Sequence, residues 1–373
     1  MDELYIGIMS GTSLNGADAV LLSLADKQIK VLRTHSEPFP EALYASLQQL
    51  ITTQQAALSQ LADIDHHLAV IYSLAAKKLL HAAKINAVQV QAIGCHGQTI
   101  YHQPDDAHSN SLQLGDPNFV AESTGITVVA DLRRRDMAAG GQGAPMVPAF
   151  HAAAFRNTDS NRVILNIGGI ANITILPRDN HLPVTGFDTG PGNTLLDQWT
   201  RLHRNQAFDE NGEWAASGRV IDTLFEKLLT DPYFARTPPK STGRELFNMA
   251  WLEQHLVATH YAAEDVQATL LELTCRSIAH AITKYALATT EVFVCGGGAH
   301  NARILQRLSQ LLSPLSVQTT KVLGIDPDWV EAAAFAWLAR QTMHKQAGNL
   351  MSVTGARHPV ILGGIYPANM NNC

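Results

Sequence analysis

The chain is poor in cysteine, aromatic side chains and charge, and each scarcity closes a route. Only 4 of its 373 residues are cysteine: Cys95, Cys275, Cys295 and Cys373. None stands in C-x-x-C spacing, which argues against a structural zinc site and fits a reducing compartment. Charged residues make up 16 % and leave a net charge of −6. A general nucleic-acid binder would carry the opposite sign, so no nucleic-acid partner is expected. No run of about 18 uncharged apolar residues occurs, and no membrane span is expected. The opening MDELYIGIM is acidic and strand-like, without the basic start of a secretory signal. G-x-x-x-x-G-K-[ST] is missing, which excludes the ordinary P-loop. These absences describe a soluble cytoplasmic protein.

What is present is apolar and periodic. A hydrophobic content of 46 % over this length supports large cores and two domains. An apolar run, Leu4–Met9, stops at Ser10-Gly11-Thr12-Ser13, and Asn15-Gly16 precedes a second run, Ala19–Leu24. That pattern predicts a hairpin turning at Asn-Gly. Small and hydroxyl residues before the turn would let an anion approach backbone N–H groups. A third strand follows in KVLRTHSEPF, then a helix over about Ala56–Lys84 with Leu58, Leu61, Ile64, Leu68, Ile71, Leu74 and Leu79 on one side. Val90–Cys95 reads as a buried strand, and GITVVADLRRRD as a strand ending in a basic turn. Alternating strands and helices predict α/β architecture.

The hairpin-led unit recurs. RVILNIGGIANITIL, from Arg162, is again strand, glycine turn and returning strand, and PVTGFDTGPGN is a third strand. Helices follow near Thr194–His203, Val220–Leu229 and Ala263–Leu287, and EVFVCGGGAHN adds a strand with a triple-glycine end. The last helix spans roughly Asp328–Met343. Two α/β domains, 1–150 and 151–373, are expected to face each other across a nucleotide-sized cleft. The connector lies in AGGQGAPMVPAFHAAAFRNTDS, and the tail after about 346 returns to the first domain.

Several polar groups stand out, each against a plainer account. Val184–Phe187 would deliver Asp188 to a turn of Thr189, Gly190, Pro191 and Gly192, with a helix from about Asn193. Backbone N–H groups and a helix start would then converge on one spot, suited to an anion. A lone Asp before Gly usually only caps its turn. Here the third-strand position and the partner turn at residues 10–16 favour a working carboxylate. Gly296-Gly297-Gly298 could leave bare backbone for a base or ribose, although a bland turn is about as good an account. His96 and Gln98 sit at a strand end. Among Arg133, Arg134 and Arg135, a bidentate partner for a substrate carboxylate stands beside ordinary solvated cations. Glu331 in the first turn of its helix is explained by the helix dipole alone.

Taken together, MSGTSLNGAD, GCHGQT, DLRRRDMAAGGQGAPMVPAFH, LNIGGIAN, GFDTGPGN, PKSTGRELFN, VCGGGAHN and EAAAFAWLA closely resemble the anhydro-N-acetylmuramic acid kinases, from about Tyr5 to Ala368. That family belongs to the acetate and sugar kinase, heat-shock protein 70 and actin superfamily. The resemblance implies two duplicated ribonuclease-H-like domains with an interdomain nucleotide and substrate cleft. It also implies cytoplasmic murein recycling, ATP and Mg²⁺ as cofactors, and 1,6-anhydro-N-acetylmuramic acid and water as partners. A homodimer is left open. By the same resemblance Gly11, Thr12, Ser13, Leu14, Asn15, Gly16, Ala17 and Asp18 form the first phosphate turn. Asp188 with Gly190, Gly192 and Asn193 forms the second, and Gly296, Gly297, Gly298 and Asn301 the adenosine side. Asp188 becomes the general base and Glu331 a substrate-positioning acid, with Gln98, Asp131 and Arg134 for the sugar and its lactyl carboxylate. One residue departs from the family pattern: Asn15 stands where GTSLDG has Asp, removing a negative charge beside phosphates and metal. Another sugar kinase of the superfamily, or a nucleotide-driven switch, would share the cleft. A switch would also need a client-binding or polymer-forming region.

Overall fold

The computed structural model describes residues 2–11, 14–25, 28–104, 109–256 and 261–368. Its strands are β1 (Glu3–Met9), β2 (Gly16–Ala25), β3 (Gln28–Pro38), β4 (Val90–Cys95), β5 (Gln98–Gln103), β6 (Asn110–Leu114), β7 (Val128–Ala130), β8 (Arg162–Ile167), β9 (Ile170–Leu176), β10 (Thr185–Pro191), β11 (Glu291–Cys295), β12 (Ser316–Thr319) and β13 (Gly364–Tyr366). The chain divides into two compact units. One comprises Met1–Ala154 with Trp329–Cys373, the other Phe155–Asp328.

The first unit is built on a sheet in the order β13-β7-β4-β1-β2-β3. β1, β2 and β3 run antiparallel, whereas β4 and β7 continue parallel to β1. The second unit repeats this scheme with β10-β9-β8-β11-β12: an antiparallel meander β8-β9-β10, then parallel β11 and β12. A meander extended by parallel strands on its first strand is the ribonuclease-H-like arrangement, here present twice. The parallel strands β4, β7 and β11 bury nearly every residue, as strands covered on both faces must, whereas the edge strand β12 alternates exposed and half-buried positions.

Local chemistry explains the packing. Val330–Met343 lies against β1 and β4. A Cβ on Gly7 would strike the Ala332 carbonyl oxygen, and one on Gly94 the Phe335 carbonyl oxygen. Glycine on the sheet and alanine on the helix therefore let the two backbones meet. This is why the alanine-rich EAAAFA stretch belongs to the first unit, so the return of the chain begins at Trp329 rather than after 346. The expected boundary at 150/151 shifts to 154/155, inside the helix Val147–Phe155.

Other expectations need revision. The long helix covers Leu58–Ala83, and its buried side carries Ile64, Leu68, Ile71 and Leu79. Leu58 is 85 % exposed and Leu74 37 %, so the apolar stripe does not extend to them. A hairpin, β5–β6, follows β4 where only a glycine loop was expected. The basic turn after β7 is a helix, Leu132–Ala138, which the arginines occupy from its first turn.

Candidate functional site

In the second unit the candidate residues gather at one end of the sheet. β10 does not end before Asp188. It runs on to Pro191, and its register against β9 shifts between Asp188 and Gly190. The bulge re-aims the side chain, a common device near functional sites. Residues 240–242 clasp the aspartate. Its N–H donates to the Lys240 carbonyl at 3.1 Å, and the Thr242 N–H donates to Asp188 Oδ2 at 3.0 Å. The Tyr233 hydroxyl donates to the Asp188 carbonyl at 2.6 Å. Burial pushes the Asp188 carboxyl up to about 7 against the pull of the Thr242 N–H; the Glu245 charge adds to the rise and Lys240 opposes it. At neutral pH this group exchanges a proton readily, in contrast to a carboxylate fixed in its ionised form.

The Gly168–Gly169 turn faces Gly192 and Asn193 differently from the expectation. Gly192 and Thr194 N–H groups donate to the Gly169 carbonyl at 2.9 and 3.0 Å, and Asn193 N–H to the Gly168 carbonyl at 2.8 Å. These amides are already used, so they are not the phosphate donors that the sequence pattern predicted. Their bonds weld the β8–β9 turn to the start of the helix Thr194–Arg204. Gly190, at φ 151°, lies against Phe234 and Ser277. The Arg244 guanidinium covers the same turn, 3.4 Å from where a Cβ on Gly169 would stand. Burial raises the Asp197 carboxyl to about 7 while Arg244 and Arg201 pull it down.

The triple glycine is less bare than its sequence implies. A Cβ on Gly296, at φ 77°, would meet the Asn166 side chain, and one on Gly298 the Ile167 side chain. Only Gly297 is exposed, with the Asn193 amide nitrogen 3.8 Å from its Cβ position. Asn301 caps the helix Ala302–Leu311, its Oδ1 accepting from Arg303 and Ile304 N–H groups at 3.1 Å. That leaves the Asn301 Nδ2 as the donor this side chain can offer.

In the first unit β1 ends at Met9 and Gly16 is already the first residue of β2. Among the described residues between them Leu14 is left-handed, at φ 58°, and Asn15-Gly16 is not. Gly16 is instead required by the Glu37 carbonyl oxygen of β3, which a Cβ would strike. Thr12 and Ser13 lie outside the described residues. Gly11 is half-buried and accepts from the Leu14 N–H at 3.2 Å; Asn15 is exposed. Ala17 is buried and Asp18, partly buried, pairs in register with Met9. The buried Ser10 hydroxyl lies 2.7 Å from the Tyr72 hydroxyl and donates to the Gly97 carbonyl at 3.2 Å, tying this turn to the GCHGQT loop.

Around that loop, His96, Gly115, Asp131, Arg134 and Tyr366 line one pocket. Arg134 and Asp131 form an ion pair at 2.7 Å on its rim. Arg133, partly buried behind it, donates from Nε to His96 Nε2 at 3.0 Å and from Nη1 to the Gly143 carbonyl at 2.8 Å. Because Nε2 accepts, the imidazole proton sits on Nδ1. Burial, helped by the Arg133 charge, holds His96 well below its usual pKa and therefore neutral. Burial also lowers Arg133 to about 10, partly offset by the Glu331 charge. Glu331 thus lies within electrostatic reach of Arg133. The Gln98 Oε1 is buried without a hydrogen-bond partner, as is His96 Nδ1. Both are polar atoms that a ligand would satisfy. Sequence reasoning singled out Arg133 only as one of three arginines and assigned nothing to Thr242 and Arg244. For the last two the available signal was a polar, non-periodic run, PKSTGRE, too long for a simple turn.

Two ribonuclease-H-like sheets, one carrying a proton-exchanging aspartate and the other a polar pocket, define a protein of the class that handles nucleotides and small polar substrates. The family model for anhydro-N-acetylmuramic acid kinase matches residues 3–368, and the chain belongs to that family. A curated anhydro-N-acetylmuramic acid kinase of Coxiella burnetii (strain RSA 493 / Nine Mile phase I) is 50 % identical over 364 residues, covering 98 % of this chain and 97 % of that one. The Shewanella oneidensis protein of the same name is 51 % identical over 365 residues, covering 98 % of each. Among solved structures, an activator of 2-hydroxyisocaproyl-CoA dehydratase from Clostridium difficile with bound ADPNP aligns at TM-score 0.46 and 11 % identity, covering 89 % of this chain and 92 % of that one.

Proposed function

We propose that the protein opens 1,6-anhydro-N-acetylmuramic acid with water and phosphorylates its O6 with ATP, giving N-acetylmuramic acid 6-phosphate and ADP. Family membership over nearly the whole chain supports the substrate, and the clasped Asp188 carboxyl with a pKa near 7 supports the chemistry. A water O–H gives its proton to Asp188 while the water oxygen bonds to C1. The C1–O6 bond breaks with its electron pair on O6, O6 takes the γ-phosphoryl group, and ADP departs with the bridging electron pair. A base tuned near the working pH contributes about 10²–10⁴ in rate.

The opening turn from Gly11 to Asp18 is assigned to the phosphates, and the exposed Gly297 with Asn193 and Asn301 to the nucleoside. Asp131, Arg134 and the unpartnered Gln98 oxygen suit the hydroxyl, amide and lactyl carboxylate groups of the sugar. Glu331 positions the sugar, and Arg133 holds its charge in check. Oxygen donors for Mg²⁺ beside the opening turn are the Asn15 amide and the Asp18 carboxylate. Among the described residues no three acidic, histidine or cysteine side chains cluster as a metal cage. A donor set this sparse fits an ion that nucleotide phosphates and water would mainly coordinate. Bound there, Mg²⁺ would neutralise charge on the transferring phosphoryl group.

Mass spectrometry after incubation with MgATP and the anhydro sugar tests the reading. A product heavier than the sugar by one water and one phosphoryl unit supports it. ATP hydrolysis that is indifferent to the sugar contradicts it.

A further inference from the structure

Asp188 is held by residues to which the sequence assigned nothing. The Thr242 N–H occupies Oδ2 at 3.0 Å, which leaves Oδ1 as the oxygen to take a proton. The same residue carries a second polar atom. Thr242 Oγ1 is buried and has no hydrogen-bond partner. A buried hydroxyl without a partner is costly, and such groups persist where a bound molecule completes them. This hydroxyl belongs to the same residue as the nitrogen that touches the carboxylate, separated from it by the Cα and Cβ atoms.

The aspartate backbone is held from two further directions. The Asp188 N–H is fixed by the Lys240 carbonyl at 3.1 Å, and its carbonyl by the Tyr233 hydroxyl at 2.6 Å. Lys240 Nζ lies 4.5 Å from the centroid of the Tyr233 ring and donates to the Tyr233 carbonyl at 3.3 Å. Backbone and side chain of the aspartate are therefore both pinned by one short segment and one tyrosine.

We propose that Thr242 is a positioning residue for the attacking water: its N–H fixes the Asp188 carboxylate through Oδ2, and its hydroxyl takes a hydrogen bond from the water whose other proton goes to Oδ1. Two acceptors on one water fix both its O–H directions, which leaves a lone pair aimed at the sugar carbon. The arrangement lowers the entropic part of the barrier rather than the affinity for either substrate. It rests on Asp188 being the base, and the experiment separates the two claims.

Thr242→Val keeps the shape and the N–H but removes the hydroxyl, and Thr242→Ser keeps the hydroxyl. One lost hydrogen bond to a water in an organised site is expected to lower kcat by about tenfold or more. KM for ATP and for the sugar should stay within about twofold in Thr242→Val. Thr242→Ser should recover most of the rate. If Thr242→Val does not fold, Thr242→Ala supplies the hydroxyl-free comparison. A hydroxyl-free variant with parental kcat overturns the proposal, as does a serine variant as slow as the hydroxyl-free one. Asp188→Asn is measured alongside. If it turns over within a few-fold of the parent, the base reading itself falls. If it is inactive while Thr242→Val is normal, only the role of Thr242 falls.

Discussion

Near the ends of their third strands, the two sheets each place an acidic side chain, and the two acids have opposite fates. Glu37, at the end of β3, is 7 % exposed and is met by Lys78 and by His35, each at 2.8 Å. Burial works to raise its carboxyl, but those two partners outweigh it and the pKa is lowered. Asp188, in β10, is met by a backbone N–H instead, and burial carries its carboxyl up to about 7. One topology thus yields a fixed anion in one copy and a proton acceptor in the other. The difference is the neighbour: a cation holds a carboxylate ionised, whereas a single dipole does not offset desolvation.

The largest expected effect breaks the catalytic half of this comparison. Asp188→Asn keeps the bulge and the hydrogen bond from Thr242 but cannot accept a proton. Its kcat should fall by about two to four orders of magnitude, with ATP and sugar binding retained by calorimetry. Turnover within a few-fold of the parent would make Asp188 another Glu37, a residue of structure.

Stability should separate the two acids next. The folded pKa of Asp188 lies above its ordinary value of 3.8, so its contribution is fully favourable below that value and is lost as pH rises through about 7. Asp188→Asn should therefore be more stable than the parent at pH 8, by roughly 4 kcal/mol at most, with the gap closing toward pH 4. Glu37 has the opposite sign: its contribution is present above 4.5 and lost as pH falls through its lowered folded value. Lys78→Met should cost about 1 kcal/mol at pH 7 and leave kcat unchanged. Thermal melts of both variants across pH check these signs; a stabilised Lys78→Met at pH 7 would contradict the pairing.

The smallest expected effect lies at the opening turn. Among the described residues of that turn Leu14, not Asn15, is left-handed, so a left-handed backbone is not what selects Asn15. Asn15→Asp should lower the Mg²⁺ concentration for half-maximal rate while leaving the sugar KM nearly unchanged. Superimposable magnesium titrations would retire a metal role for this position.

The hairpin with its third strand, and the repetition of that unit, were legible in the sequence because buried apolar runs between turn residues reveal strands directly, whereas the parallel extension was only implied by the family resemblance. β1, β4 and β11 fall within a residue of their expected ranges. The return of Val330–Met343 to the first unit was not legible, because it depends on Gly7 and Gly94 yielding space to a helix more than 200 residues away in the chain. At the site, Asp188 could be singled out by its place on the third strand. Its clasp could not be, since Lys240 and Thr242 come from an irregular segment with no period to read. The glycines misled for a related reason. Bare backbone looks available in a sequence, yet Gly192 donates to the Gly169 carbonyl, and Gly296 and Gly298 make room for β8.

The pH dependence of kcat/KM for the sugar, in the parent and in Asp188→Asn, tests the central claim most directly. A base that burial has carried to about 7 must lose its proton before it can act, so the parent rate should rise through a midpoint near pH 7 and the variant should lack that limb. A limb with its midpoint near pH 4, or one that survives in Asp188→Asn, would contradict the account.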